Sequence, residues 1–326
     1  MAGGSTRVVL TALAGNGVIA IAKFVAAALS GSTAMFTEAV HSLVDTGDQL
    51  LLLVGQAQGR RKPDDSHPLG YGMETYFWSF IVALMVFILG GVLSIYQGVH
   101  HILHPEPVVS PWISLGVLAV SAVFEGASFR VGYREYRRVV RGAKVRLWTF
   151  IHGSKDPGLM SVLLEDSAAL VGIGLAAIGV IAASFFHVAW ADGAASVAIG
   201  VLLTGVALVL ANETRSLIAG ESVAPLVMQR LKEALDRITC IIDLHEIATL
   251  HLGPGAILVA LTLDFRPKAT TTTINAAIVE ITECLQAADG RIAYVFVRPS
   301  HKDAAGSAKT DTSSGRPLAK GGRLRA

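Results

Sequence analysis

The stretch FTEAVHSLVDTGDQLLLLVG, Phe36–Gly55, has the apolar content of a membrane helix, yet it carries Glu38, His41, Asp45, Asp48 and Gln49. The four ionisable residues follow one another at intervals of three, four and three, which puts them on one face of a helix. His41 and Asp45 are one turn apart, so both side chains can reach a common ligand. At 1.5 Å per residue, Asp45 sits roughly 18 Å into its apolar span, near mid-bilayer.

The whole chain shares this character. Of 326 residues, 52% are hydrophobic and 16% charged, and the mean hydropathy is +0.55. A soluble domain carries about a quarter charged residues, so the class is a polytopic membrane protein. A net charge of +2 is too small to indicate nucleic-acid binding. Cys240 and Cys284 form no CxxC pair, which argues against a thiolate zinc knuckle and a redox dithiol. The N-terminal MAGGSTRVVLTALAGNG has one Arg before its apolar run and no convincing cleavage site, and is read as a retained span.

Six stretches are long enough to cross a bilayer: Val8–Leu29, Thr33–Ala57, Tyr76–Ile102, Pro111–Arg130, Pro157–Phe185 and Trp190–Ala211. Ser110-Pro111 and Asp156-Pro157 each place a capping side chain before a proline suited to the first helical position. Basic residues alternate between links. Arg60, Arg61 and Lys62 follow span two; Arg134, Arg137, Arg138, Arg141, Lys144, Arg146 and Lys155 follow span four; Arg215 follows span six. The links SGS, HHILHPEPVVS and FHVA have none. This bias predicts cytoplasmic N- and C-termini, and the arginine run around Tyr133–Arg146 is read as an orientation signal and a lipid-headgroup contact.

The transmembrane domain is assigned to residues 1–219. Residues 220–300 turn polar and read as a cytoplasmic αββαβ domain of ferredoxin-like cast: a helical SVAPLVMQRLKEALDRI, strands DLHEIATLHLG and ILVALTLDF joined by Gly253-Pro254-Gly255, a helical TINAAIVEITECLQAA, and a strand RIAYVFVRP. Residues 301–326 read as a disordered basic tail. The expected fold class is therefore an all-α six-span bundle with a small α/β domain.

Span five carries Glu165 and Asp166, about 12–14 Å from its cytoplasmic end. Span four carries Glu125, and Asp192 opens span six, where a helix cap is its simplest use. Glu38 is placed near the outer interface, within reach of water. Each ionisable group at a helix centre costs about 2.5–3.5 kcal/mol, so Asp45, Glu165, Asp166 and Glu125 together cost roughly 10 kcal/mol. This reading finds no Lys or Arg within the spans to neutralise them. The partner is then a proton, a water-filled cavity or a metal cation. One imidazole with several carboxylates suits a divalent ion such as zinc, cobalt or manganese. These ligands bind metal only when deprotonated, so metal and protons compete for one site, as an exchanger requires.

HSLVDTGDQ, PDDSHPLGYG, FEGAS and LLEDSAAL, in that order and spacing, resemble the motifs of the cation diffusion facilitator family, and within it the zinc transporter nine branch. The similarity runs from about residue 8 to 300. It implies a homodimer of six-span protomers that exports a divalent metal from the cytosol in exchange for protons by alternating access, with no prosthetic group. It implies a transport site with two ligands from span two and two from span five, each pair four residues apart. His41 and Asp45 match the first pair and Asp166 one member of the second. The other falls on Val162, which cannot ligate, leaving Glu165 or a water to replace it; Glu165 lies about 100° around the helix from Asp166. Glu125 and Asp192 are proton-linked candidates. A weaker second site is implied at Asp64 and His67, with Tyr71 where the family has another His. In the cytoplasmic domain His245 matches one zinc-ligand position while others fall on Ala260 and Val297, so no binuclear site is expected there; His251, on the same strand as His245, is as readily a surface residue. The metal is expected to be zinc, with manganese, cobalt and iron open, and the location a prokaryotic inner membrane. The alternatives are an intramembrane metal enzyme, against which stands the lack of HExxH or Gly-x-Ser-x-Gly, an uncoupled cation channel, and a metal sensor.

Overall fold

The computed structural model describes residues 2–140, 147, 156–238, 241–266 and 269–300, with side chains from Asn16 onward. The proposed tail, 301–326, Cys240 and most of the basic link after span four lie outside the described residues. Six long helices come first: α1 (Ala2–Ser30), α2 (Thr33–Gly59), α3 (Glu74–Leu103), α4 (Pro111–Val139), α5 (Pro157–Phe185) and α6 (Ala191–Ile218). Of these, α3, α4, α5 and α6 are long and apolar enough to cross a membrane by length and composition. In α2 the ionisable residues dilute the apolar content. Two helices outlast their expected ends: α4 continues through Arg134, Arg137 and Arg138, and α6 reaches Ile218. A basic side chain can leave a helix for the headgroup region without ending it.

The start signals hold in part. Asp156 Oδ1 accepts from the amides of Gly158 and Leu159 at 3.1 and 3.4 Å and caps α5. Pro111 opens α4, but Ser110 makes no capping hydrogen bond, which corrects the expectation for that residue. Ser32 caps α2 through the Met35 amide at 3.0 Å.

Helix α2 touches α1, α3, α5 and α6 and is the central element of the bundle. Ala34, Met35, Val40 and Val44 on it pack with Leu118, Met160, Ile199, Leu203 and Leu210 in one apolar core. The outward faces are apolar too: Val123, Ile178, Val201 and Leu208 are exposed, as a lipid-facing surface requires. Helix α3 contains a π-helical stretch, Val86–Val92. Around it α3 and α6 meet through glycines. A Cβ built on Gly98 falls 2.7 Å from the Gly193 carbonyl and the Val197 amide, and one on Gly200 falls 2.9 Å from the Gly91 carbonyl. Small residues let two membrane helices approach to backbone contact.

The C-terminal part follows the expected order: α7 (Pro225–Leu235), β1 (Ile241–Gly253), β2 (Ala256–Phe265), α8 (Thr271–Ala288), β3 (Ile292–Pro299). The sheet order is β1-β2-β3, with β1 and β2 antiparallel across the Pro254-Gly255 turn and β2 and β3 parallel. Alternate residues of β2, Ile257, Val259, Leu261 and Leu263, are buried beneath Leu231 and Leu235 of α7 and Ile281 and Leu285 of α8. The ferredoxin-like comparison stops at element order, because β2 and β3 pair directly with no strand between them. The β1–β2 turn sits against the α2–α3 link: a Cβ on Gly72 would strike the Leu252 carbonyl.

The backbone contact between α3 and α6 gives the first prediction. Gly98→Ala must separate the two helices and is expected to cost about 1–3 kcal/mol, seen as a lower thermal unfolding temperature of the detergent-solubilised protein. Gly116→Ala, with nothing within 4 Å of its Cβ, is the control and does not lower it.

Candidate metal centre

Helix α2 delivers the acidic face into the bundle. His41 is 1% exposed and Asp48 0%, with Asp45 half-buried between them. Asp45 Oδ1 lies 3.2 Å from His41 Nδ1, at ion-pair range, in a geometry that makes no hydrogen bond. One turn further along, ligand oxygens of Asp45, Asp48 and Glu165 of α5 all lie within 4.8 Å of one another. Both oxygens of Asp48, Oδ1 of Asp45 and Oε1 of Glu165 are buried and take no hydrogen bond from any described residue. The same is true of both ring nitrogens of His41. Buried polar atoms without partners are costly. A cation or protons shared among these groups would satisfy them.

The expected ligand set is thus gathered differently. His41 and Asp45 adjoin as predicted. From α5, Glu165 reaches the carboxylate group, while Asp166 turns toward α4 and accepts a hydrogen bond from Ser128 Oγ at 2.7 Å. The cause is the 100° step between consecutive helical residues, which cannot present both to α2. Val162 is also turned to α4, its Cγ1 3.3 Å from a Cβ built on Gly132. Asp48 shares the face read from the sequence but was not expected to ligate; its place three residues after Asp45 was the available signal. Glu125 is half-buried on α4, one turn from Ser128.

The expectation that the spans hold no basic residue fails. Lys23 of α1, in the apolar run IAIAKFVAAAL, is completely buried. Its Nζ donates to Glu38 Oε2 at 3.0 Å and to Ser42 Oγ at 2.7 Å. Glu38 is likewise fully buried rather than in water at the outer interface. Gly172 of α5 makes room for it, since a Cβ there would collide with Glu38 Oε1. The signal for this pair was present: one Lys in a long apolar run and one Glu on the neighbouring helix.

Asp192 caps a helix, but not its own. It is buried, and its carboxylate accepts from Ser32 Oγ at 2.5 Å and from the amides of Thr33 and Ala34, the first residues of α2. His101 stands 3.6 Å away. No sequence signal joins residues some 160 positions apart. Asp64 and His67 lie in an exposed, internally bonded turn. Asp64 accepts from Ser66 Oγ and Tyr71 Oη at 2.7 Å each and from the His67 amide at 2.8 Å. These bonds, led by Ser66 and Tyr71, hold its carboxyl well below the usual range. The His67 and Tyr71 rings stack at 4.0 Å and Arg61 covers Tyr71. In the C-terminal domain Asp243, His245 and Asp264 cluster at the surface, with His245 Nε2 2.8 Å from Asp264 Oδ2. The two aspartates were not foreseen. His251, for which a surface position is one of two readings, is 1% exposed.

Breaking a buried pair leaves an uncompensated charge and costs about 3–5 kcal/mol. Lys23→Met is therefore expected to lower thermal stability sharply, and Lys23→Met with Glu38→Leu to recover most of it. A single variant as stable as the parent would refute the pairing.

Residues 9–219 match the model of the cation efflux transmembrane domain. The human protein named proton-coupled zinc antiporter SLC30A9, mitochondrial, is 34% identical over 268 residues, covering 82% of this chain and 47% of that protein. Metal tolerance protein C4 of Arabidopsis thaliana is 30% identical over 261 residues, 80% of this chain and 57% of that protein. Magnetosome protein MamM of Magnetospirillum gryphiswaldense is 24% identical over 253 residues, 74% of this chain and 71% of that protein. The chain spans about half the length of the antiporter relatives it matches. With well over half of its length inside the domain match, the chain belongs to the cation efflux family.

Proposed function

We propose that this protein is a proton-coupled exporter of divalent metal, zinc first, that moves its cargo by alternating access. The observation that carries the reading is Asp45: half-buried in the bundle, with His41 on one side, Asp48 and Glu165 on the other, and an oxygen without a hydrogen bond among the described residues. His41 supplies nitrogen, Asp45 and Glu165 supply oxygen, and Asp166 joins them as the helices shift. Facing the cytosol the site sheds protons and takes the cation; facing outward, protons displace it. Glu125, beside the path on α4, is the further proton-linked candidate. Asp192 is spent on capping α2, and Asp64 with His67 forms at most a weak secondary site. The family is one of transport rather than catalysis, and the antiporter relatives carry zinc and proton coupling in their names. Manganese, cobalt and iron remain within reach of the same ligands.

The proposal includes six crossings, with α1 and α2 joining the four strongly apolar helices, and both termini on the cytosolic side by the charge bias of the links. It includes a homodimer in a cell inner membrane.

In proteoliposomes, zinc added on the cytosolic face is expected to drive proton movement in the opposite direction. Asp45→Asn abolishes both the zinc flux and the proton movement. Zinc flux that ignores a pH gradient would instead indicate a channel, and near-normal exchange by Asp45→Asn would overturn the site.

A further inference from the structure

Asp48 is the least expected member of the bundle's acidic face. It is two turns beyond His41 on α2, roughly 10 Å along the helix axis, and its side chain is completely buried. Neither of its oxygens has a hydrogen-bond partner among the described residues. A carboxylate in that position has no structural use of the kind Asp192 has. What it does have is company: oxygens of Asp45 and Glu165 lie within 4.8 Å of its own and of each other. Two oxygens each about 2.2 Å from one cation stand at most ~4.4 Å apart, so a small side-chain closure brings all three onto a common ion.

We infer that Asp45, Asp48 and Glu165 form a second, oxygen-only cation site on the Gly59 side of His41, sharing Asp45 and Glu165 with the His41 site. The inference rests on the transport reading for its purpose but not for its chemistry. At the His41 level a cation meets imidazole nitrogen as well as carboxylate, a set that favours zinc. At the Asp48 level it meets carboxylate oxygen alone, a hard set that favours manganese-class ions and offers zinc no nitrogen. The two levels are joined by Asp45, so a cation entering from the Gly59 end of α2 meets the hard site first. Asp166, hydrogen-bonded to Ser128 and facing α4, stands outside this triad.

The test uses the full chain carrying His245→Ala, which removes nitrogen from the exposed Asp243–His245–Asp264 cluster. Manganese(II) alone is titrated into the detergent-solubilised protein and followed by electron paramagnetic resonance. The site predicts bound manganese without the nitrogen modulation of a coordinated imidazole. Asp48→Asn is expected to weaken manganese binding at least about tenfold and zinc binding by a smaller factor. Should Asp48→Asn not stay monodisperse, Glu165→Gln on the opposing helix carries the same expectation for manganese. Absence of manganese binding, an imidazole-coordinated spectrum, or equal losses for the two metals in Asp48→Asn overturns the inference. These readouts need no transport, so a chain that binds manganese this way yet fails to exchange zinc for protons would refute the transport reading alone.

Discussion

Charge in hydrocarbon has to be cancelled, and this bundle is organised around how it is done. One buried carboxylate, Glu38, is cancelled permanently by Lys23 at 3.0 Å. Asp192 is satisfied permanently by the first amides of α2. Among the described residues, Asp45 Oδ1, Glu165 Oε1 and both oxygens of Asp48 take no hydrogen bond. Glu38 and the amides capped by Asp192 lie toward the N-terminal end of α2, and Asp45 and Asp48 follow further along the same helix. At several kcal/mol for an uncompensated buried charge, these carboxylates need protons or a cation among them, which is the basis of the proposed transport site.

The packing supports that division. The N-terminal end of α2 is held by Ser32 and by Asp192 from α6, and its N-terminal half by Lys23 from α1. Beyond its other end, the turn containing Asp64 and the β1–β2 turn of the C-terminal domain meet at Gly72. Between α3 and α6 the glycines bring backbones together, beside the π-helical stretch of α3. π-Helical segments are frequent at functional sites, and small residues let membrane helices pack at backbone contact.

Much of this was legible in the sequence. The period of the ionisable residues in Phe36–Gly55 gave the face of α2 because helical spacing is a local property. The same locality gave the αββαβ order and the turn at Pro254-Gly255. The choice between Glu165 and Asp166 was not legible, since it depends on the rotation of α5 against α2 and α4, which packing decides. Nor was the sheet order, with β3 directly beside β2, or the trans cap by Asp192, which joins distant segments. Lys23 was legible and overlooked: a lone lysine in an apolar run is a request for a buried anion, and Glu38 was one helix away.

The central claim is that a divalent cation sits against Asp45 inside the bundle. The most direct measurement is a structure of the full chain grown or frozen with zinc and located by its anomalous or element-specific signal. The account predicts a zinc position about 2.0–2.2 Å from an Asp45 oxygen, between His41 and Glu165. Zinc found only at the surface cluster of Asp243, His245 and Asp264, with the carboxylates of α2 and α5 satisfied by each other or by water, would contradict it.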